Sequence, residues 1–509
     1  MAAYNFNRSP DWPGGEYDVV VVGAGAAGLL LASKLSRTRR VLVVESGHFV
    51  EDPERQRLNE VVQLGKPMQA AEWGRKRAVG GTTIAWGGQS LPFSPLDFEA
   101  RPWVRGSGWP LASGDLDGHY RAANRAMGIG EEDYREGAFQ RLSYVPPPFD
   151  ADLVDLHVSK WAPEPNFRKV FARQIESSFD VLYNAHVTRL GFQGRGVDHV
   201  EVHNFSGRRV VVRTPTLVLA CGGLETVRTL LLASAENRVF TAGQLDRLGR
   251  GFMDHPCVDA GSVESARPYR LQRTFATRFA GRRKYSIRLS LSEGLARRSR
   301  LLNASASLMF VPRGGAFDPY TEFRDFSRLL GNPAAFLTTS GAFARTAMAL
   351  LRDRFVYKHG ASARLSFMCE QEPLDRSRLE LHPTRKDRFG RPLLSVDWQL
   401  SPNTWRTAVT FSHALRDEFE RLDIGRVRLR PEMERVDEDH SDLLTDVNHH
   451  MGGAAMGADP ERSVVAPDLL VRGTDNLYAC SAAVFPTGSH SNPTLTLLAL
   501  ADRLADQLS

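Results

Sequence analysis

Cysteine is scarce in this chain of 509 residues, with only Cys221, Cys257, Cys369 and Cys480 present. They are widely scattered, which excludes a disulfide framework and a cysteine-based metal knot. Long apolar runs are missing too. No stretch reaches the ~18 residues a membrane-spanning helix needs, and the least polar one, 334–351, is broken by Arg345 and several hydroxyl residues. Residues 1–15 lack the apolar centre of a secretory signal. These absences make a reduced cytoplasm the expected location. A bulk excess of one charge is also lacking, since 65 basic and 59 acidic residues leave a net charge of +6. Nucleic-acid binding would need the basic residues gathered on one face. One local excess exists: Arg267, Arg270, Arg273, Arg278, Arg282, Arg283, Lys284, Arg288, Arg297, Arg298 and Arg300 are opposed only by Glu293. It reads either as a solvated surface or as a rim that attracts an anionic substrate.

What is present is a globular composition, 42% apolar and 24% charged, in a length that suggests two domains. Residues 1–16 are polar and read as a loose lead-in. The β-branched run 17–22 reads as a strand buried on both faces, followed by a small-residue turn, a helix over 26–35 and a second strand over 41–45. That is one β-α-β unit. Another buried strand is expected at 216–220 with a helix from 225, then a strand at 476–480 and an apolar helix over 493–508. Residues 259–315 and 361–400 alternate in polarity, as antiparallel strands with one wet face do. A helix pair is expected over 320–355 and an amphipathic helix over 405–422. The expected fold class is α/β: a Rossmann-like parallel-sheet domain from 14–90, 178–258 and 462–509, interleaved with an α+β domain on a mostly antiparallel sheet from 91–177 and 259–461.

Gly23-Ala24-Gly25-Ala26-Ala27-Gly28 fits G-x-G-x-x-G between a strand and a helix, and Glu45 ends the next strand about 20 residues beyond Gly25. Gly23 permits a tight turn, Gly25 a close approach of backbone to a pyrophosphate, and Gly28 close packing of helix on sheet. The helix N-terminus supplies free N–H groups to phosphates, and Glu45 suits ribose hydroxyls. The motif alone does not separate FAD from NAD, although its position near the start of the chain favours FAD.

Four further segments accompany it: Gly80-Gly81-Thr82-Thr83-Ile84-Ala85-Trp86-Gly87-Gly88, Gly249 to Pro256, Asn448 to Gly457, and Pro486 to Thr494. Together with the first motif they resemble the glucose–methanol–choline (GMC) family of flavoprotein oxidoreductases, in particular bacterial members acting on sugars and polyols. The resemblance spans nearly the whole chain and is weakest from about 259 to 360. It implies an FAD site containing Gly23, Gly25, Ala26, Ala27, Gly28, Glu45, Ser46, Gly81, Thr82, Thr83, Ala85, Trp86, Gly87, Gly88, Val187, Ser481, Asn492, Pro493 and Thr494. Ala85 stands where some relatives carry the histidine that binds FAD covalently, so the resemblance implies a non-covalent cofactor. His255 matches a structural position of the family.

The family pattern of a histidine seven residues before Met-Gly falls on His449, and the position six after Pro486 is Asn492. The resemblance makes these the catalytic pair. The chemistry is alcohol oxidation, in which a flavin takes the hydride at N5, an imidazole takes the hydroxyl proton, and a non-titrating amide holds the oxygen. On an extended backbone His449 and His450 point to opposite sides, and the spacing favours His449. Glu370 and Gln371 read either as substrate contacts or as a satisfied structural pair, and His450 and His490 as polar groups near substrate. The implied substrate is a small-molecule alcohol among sugars, polyols, amino sugars and glycosides. The electron acceptor (dioxygen, a quinone or another carrier), the oligomeric state and the identity of the hydroxyl stay open. No metal, nucleic-acid partner or membrane span is expected. Two other readings share the motifs: a flavin-containing lyase without net redox, and a non-catalytic FAD-binding protein.

Overall fold

The computed structural model describes residues 3–8, 12, 14–69, 71–311, 341 and 344–509. A six-stranded sheet runs in the order Ala3–Asn5, Asp180–Tyr183, Val41–Glu45, Val19–Val22, Leu217–Leu219 and Leu477–Ala479. Every neighbouring pair in it is parallel. The four valines of Val19–Val22 are all buried, as a central parallel strand with both faces covered requires. Helix Ala26–Leu35 lies against this strand because position 28 has no side chain. A Cβ there would collide with the Gly23 carbonyl oxygen. The same helix packs on the C-terminal helix Pro493–Leu508, and Lys34 reaches Asp502 at 2.7 Å.

An eight-stranded sheet forms the opposite wall. Its strands run Arg426–Leu429, Cys257–Glu264, Ser362–Cys369, Ala304–Val311, Arg283–Leu291, Val154–Trp161 and Gln89–Ser90, with Arg278–Ala280 paired to Arg283–Leu291. All its pairings are antiparallel. One face is apolar and is covered by helix Pro402–Arg421, where Phe411 meets Phe367 edge-on at 5.5 Å. The other face carries Ser286, Arg288, Ser290, Ser305 and Met368, in keeping with the alternation in the sequence. Smaller sheets of three strands each join Val61–Gln63 to Arg378–Lys386 and Pro392–Asp397, and His186–Gln193 to Gly196–His203 and Arg209–Arg213.

The lead-in is docked at residues 3–6. Ala3–Asn5 adds an edge strand to the parallel sheet, and Phe6 behind it is 1% exposed. Three polar-looking residues carry too little pattern to mark a strand, whereas one buried phenylalanine is enough to dock it. Most of the expected helix pair over 320–355 lies outside the described residues; its end, Ala349–Asp353, is a helical turn.

Candidate active site

The glycine turn lies at the C-terminal edge of the parallel sheet, the edge where such sheets bind ligands. Gly23 has φ 105°, a left-handed conformation that suits glycine. Helix Ala26–Leu35 begins there with no side-chain cap and no acid in its first turn, so Ala26 and Ala27 present free backbone N–H groups. A Cβ on Gly25 would meet nothing, so the backbone there faces open space. Gly81, at φ 55°, abuts the Cα of Gly25, which lays the second glycine segment against the first. Glu45 accepts from the N–H of Ala24 at 2.8 Å and of Gly47 at 2.7 Å. Burial raises its pKa, the two backbone donors opposing the rise. An uncapped helix start, open space beside glycine and a carboxyl at the next strand end fit an FAD pyrophosphate and ribose.

Ser46 hydroxyl donates to Glu45, and Ser481 caps the turn Ala482–Val484 just beyond the strand Leu477–Ala479. Val187 is half-buried on a strand that packs beside Val41–Glu45. Ala85 and Gly87 are exposed, Gly88 is packed on Ala162, and Trp86 Nε1 donates to the Pro165 carbonyl at 2.7 Å. The two threonines of this segment differ in their surroundings. Thr83 donates to the Gly80 carbonyl at 2.5 Å and accepts from the N–H of Phe167 at 3.0 Å, which locks the loop. Thr82 is exposed and accepts from the N–H of Lys76.

His449 is placed by a two-strand pairing remote in sequence. Met253 and Met451 exchange backbone hydrogen bonds of 2.8 Å, and Cys257 pairs with Thr445. Between them the Asp254 carboxylate accepts the N–H groups of His255, Val447 and His449 at 2.7, 3.1 and 3.0 Å. Burial pushes the Asp254 carboxyl up to about 7, against these three donors. The loop carrying Asn492 is pinned by Ser489 to Asp97 at 2.8 Å and by Thr487 to Trp109 Nε1 at 3.1 Å. Asn492 stands at the start of helix Pro493–Leu508, with Pro493 and Thr494 in its first turn. Its side chain does not cap that helix; Nδ2 lies 3.3 Å from His449 Nε2.

A chain of hydrogen bonds then fixes which nitrogen of His449 is bare. His255 Nε2 is 3.0 Å from the Gly488 carbonyl, which can only accept, so that nitrogen carries the proton. Burial lowers the His255 pKa to about 4 and the ring is neutral, so its Nδ1 is an acceptor. His449 Nδ1, at 2.8 Å from it, must therefore donate. His449 Nε2 is left with its lone pair, next to the Asn492 amide. Desolvation, then the neighbouring His255, His450 and Arg288, hold His449 well below the usual imidazole pKa. By resemblance His255 occupies a structural position of the family. Only its contact with His449, 194 residues away in the chain, reveals the connection.

The two adjacent histidines do diverge. His450 stacks on Phe252 at 6.3 Å, and burial lowers its pKa to about 3, helped by Arg75. His490 Nε2 lies 3.1 Å from Ser290 Oγ. Glu370 and Gln371 follow the structural alternative. Glu370 forms a buried bidentate pair with Arg101 at 2.7 and 2.6 Å and accepts the Asn303 N–H. Gln371 accepts from Trp398 Nε1 and the Asp254 N–H and donates to the carbonyls of Phe252 and Gln399. Their polar atoms are already engaged by the protein.

Comparison with known proteins agrees with this architecture. Residues 373–501 match the family model described as GMC oxidoreductase. The fructose dehydrogenase large subunit of Gluconobacter japonicus is 24% identical, the alignment covering 96% of this chain and 97% of that protein. An alcohol dehydrogenase [acceptor] of Pseudomonas putida is 21% identical over 96% of this chain and 95% of its own length. Among solved structures, pyridoxine 4-oxidase from Mesorbium loti superposes with a TM-score of 0.54 at 17% identity, covering 96% of this chain and 98% of that one.

Proposed function

We propose that the chain is a GMC oxidoreductase acting on a CH–OH donor, in keeping with the family match at residues 373–501 and the dehydrogenase relatives, and that it oxidises an alcohol group of a sugar, polyol, amino sugar or glycoside, with His449 as proton acceptor and Asn492 as the hydroxyl anchor. The observation that carries this reading is the bare Nε2 of His449 beside the Asn492 amide, its tautomer dictated by His255 and the Gly488 carbonyl. FAD, held non-covalently at the glycine turn, the Gly80–Gly88 segment and the start of helix Pro493–Leu508, would supply the two-electron acceptor for the C–H hydride. His449 Nε2 takes the hydroxyl proton, and its neutral state needs no prior deprotonation at physiological pH. The Asn492 Nδ2 group donates to the same oxygen and turns the C–H bond away from the histidine. Asp254 holds the backbone under His449 through three N–H groups, which keeps both rings in register. The fructose dehydrogenase relative supports the sugar class, and four unpaired thiols suit a cytoplasmic location. Among the described residues no helix is long and apolar enough to cross a membrane.

Anaerobic mixing of the yellow protein with a panel of sugars, amino sugars, glycosides and simple alcohols tests this directly. Bleaching of the flavin with formation of the matching carbonyl compound is expected, and acid precipitation should leave FAD in the supernatant. A flavin that stays oxidised with every alcohol, while a cyanohydrin is cleaved, would put a lyase in place of an oxidoreductase.

A further inference from the structure

The basic stretch 267–300 separates into two populations once partners are counted. Arg267 pairs with Asp423, Arg273 with Asp353, Arg283 with Glu132, and Arg297 with Glu99 and Glu293. Arg278 donates to backbone carbonyls, Arg298 to the Asp152 carbonyl, and Lys284 lies over the Trp161 ring. Arg270, Arg282 and Arg300 are exposed to solvent. Arg288 differs from all of these. Among the described residues it has neither an ion-pair nor a hydrogen-bond partner, although it sits on an interior face of the eight-stranded sheet.

Register defines that face. On Arg283–Leu291 the residues Tyr285, Ile287, Leu289 and Leu291 are buried in the core, which turns Ser286, Arg288 and Ser290 to the other side. Arg288 stands directly opposite His157, and Ser290 opposite Ser305, which in turn faces Met368 and then Cys257 across the next strands. Ser290 Oγ touches His490, two residues before Asn492, so this side of the sheet looks onto the loop that completes the His449 site. Two further polar atoms here are buried without a partner, Ser305 Oγ and His490 Nδ1, in residues 1% and 5% exposed.

Arg288 itself is half-buried by surface, yet desolvation lowers its pKa to about 10, with only the Cys257 thiol opposing. Its charge also reaches His449 and His490, lowering both. A desolvated guanidinium with no counter-charge is costly unless an anion joins it. Resting on the oxidoreductase reading above, we infer that the alcohol oxidised at this site carries a carboxylate, held by Arg288 on the sheet wall while its hydroxyl meets His449 and Asn492. A single planar guanidinium matches one carboxylate through two parallel hydrogen bonds. A phosphate dianion would call for a second free cation, and the other cation of the 267–300 stretch on this strand face, Lys284, is taken up over the Trp161 ring.

The test uses the FAD-loaded enzyme in two readouts. In the first, acetate and benzoate, which cannot be oxidised, are titrated while the flavin spectrum is followed. In the second, anaerobic bleaching is compared for D-gluconate, D-glucitol and glucose 6-phosphate. The wild type is expected to show a carboxylate-dependent spectral shift and to half-saturate with the acid at lower concentration than with the neutral polyol or the phosphate ester. Arg288→Gln should raise the half-saturating acid concentration about 10- to 100-fold, the range for a charge-assisted bidentate contact, and bring the acid-to-neutral preference towards parity. Arg288→Lys should recover part of it. Equal use of acid and polyol by the wild type, preference for the phosphate ester, or an acid response indifferent to Arg288→Gln each overturns the assignment. If no alcohol bleaches the flavin but Arg288-dependent carboxylate binding persists, the anion subsite stands and the oxidation reading falls.

Discussion

The parallel and antiparallel halves of this molecule prepare their ligand surfaces by opposite means. In the parallel half the central strand Val19–Val22 is apolar and buried on both faces, so its side chains are not free to touch a ligand. The surface is made at the strand ends, from glycine turns, an uncapped helix start and Glu45. In the antiparallel half one face is given to helix Pro402–Arg421 and the other presents serines, histidines and Arg288 along the strands themselves. Backbone geometry dominates the first and side-chain chemistry the second. Changes in the first should act on all turnover at once, and changes in the second should be graded by which group is removed.

The largest effect should follow from Gly28→Val. The added side chain meets the Gly23 carbonyl and Val21, forcing the helix off the strand. The variant should purify colourless or unfolded, and retention of stoichiometric FAD would show that this packing is not needed for the cofactor.

Next comes His449→Ala, for which FAD should stay bound while reduction by substrate slows by about 10²–10⁴-fold, as for loss of a general base. His450→Ala should be milder, because that ring lies on Phe252 away from Asn492. His255→Ala should fall between them and alter the pH profile. The acceptor must be neutral, and in the wild type its pKa lies below the ordinary 6.5, so the acid limb of the reduction rate should appear only below that pH. Removing His255 eliminates one cause of the depression and the tautomer lock, so the limb should move to higher pH. His255→Asn, whose side-chain oxygen accepts the same hydrogen bond, should recover part of the rate. Equal rates and identical pH profiles for wild type and His255→Ala would reduce His255 to packing.

The smallest kinetic effect is expected for Glu370→Ala. It strands Arg101 in the interior and should cost about 3–5 kcal/mol of stability, the range for breaking a buried pair. At a temperature where the variant is folded, kcat/KM should stay within a few-fold of wild type. A large rise in KM without a fall in Tm would return Glu370 to the substrate site.

Much of the parallel half was legible because its signals are local. The helices 26–35 and 493–508 have the expected bounds, and on the antiparallel side the helix expected over 405–422 spans Pro402–Arg421. The spacing to Met456 singles out His449 over His450, and the two rings do part company. What was not legible depends on residues far apart in the chain. Glu370 meets Arg101 across 269 residues, and no pattern around either marks the pair as structural. The edge strand Ala3–Asn5 is specified by its partner at 181–183 and by the seat of Phe6, not by its own composition.

The sequence by itself determined the β-α-β unit, the alternating strands and the residue types available for acid–base work, since periodicity and glycine placement act within one turn or one strand. Tertiary structure decided how those groups are wired. Pairing of the 253–257 and 445–451 segments sets His255 against His449, and the Gly488 carbonyl then decides which nitrogen of each ring carries the proton. Sheet register, in the same way, decided which cation of a long basic stretch faces the site without a counter-charge among the described residues. Proton placement and ion pairing depend on distances of about 3 Å between chain-distant groups, and only the folded backbone sets such distances.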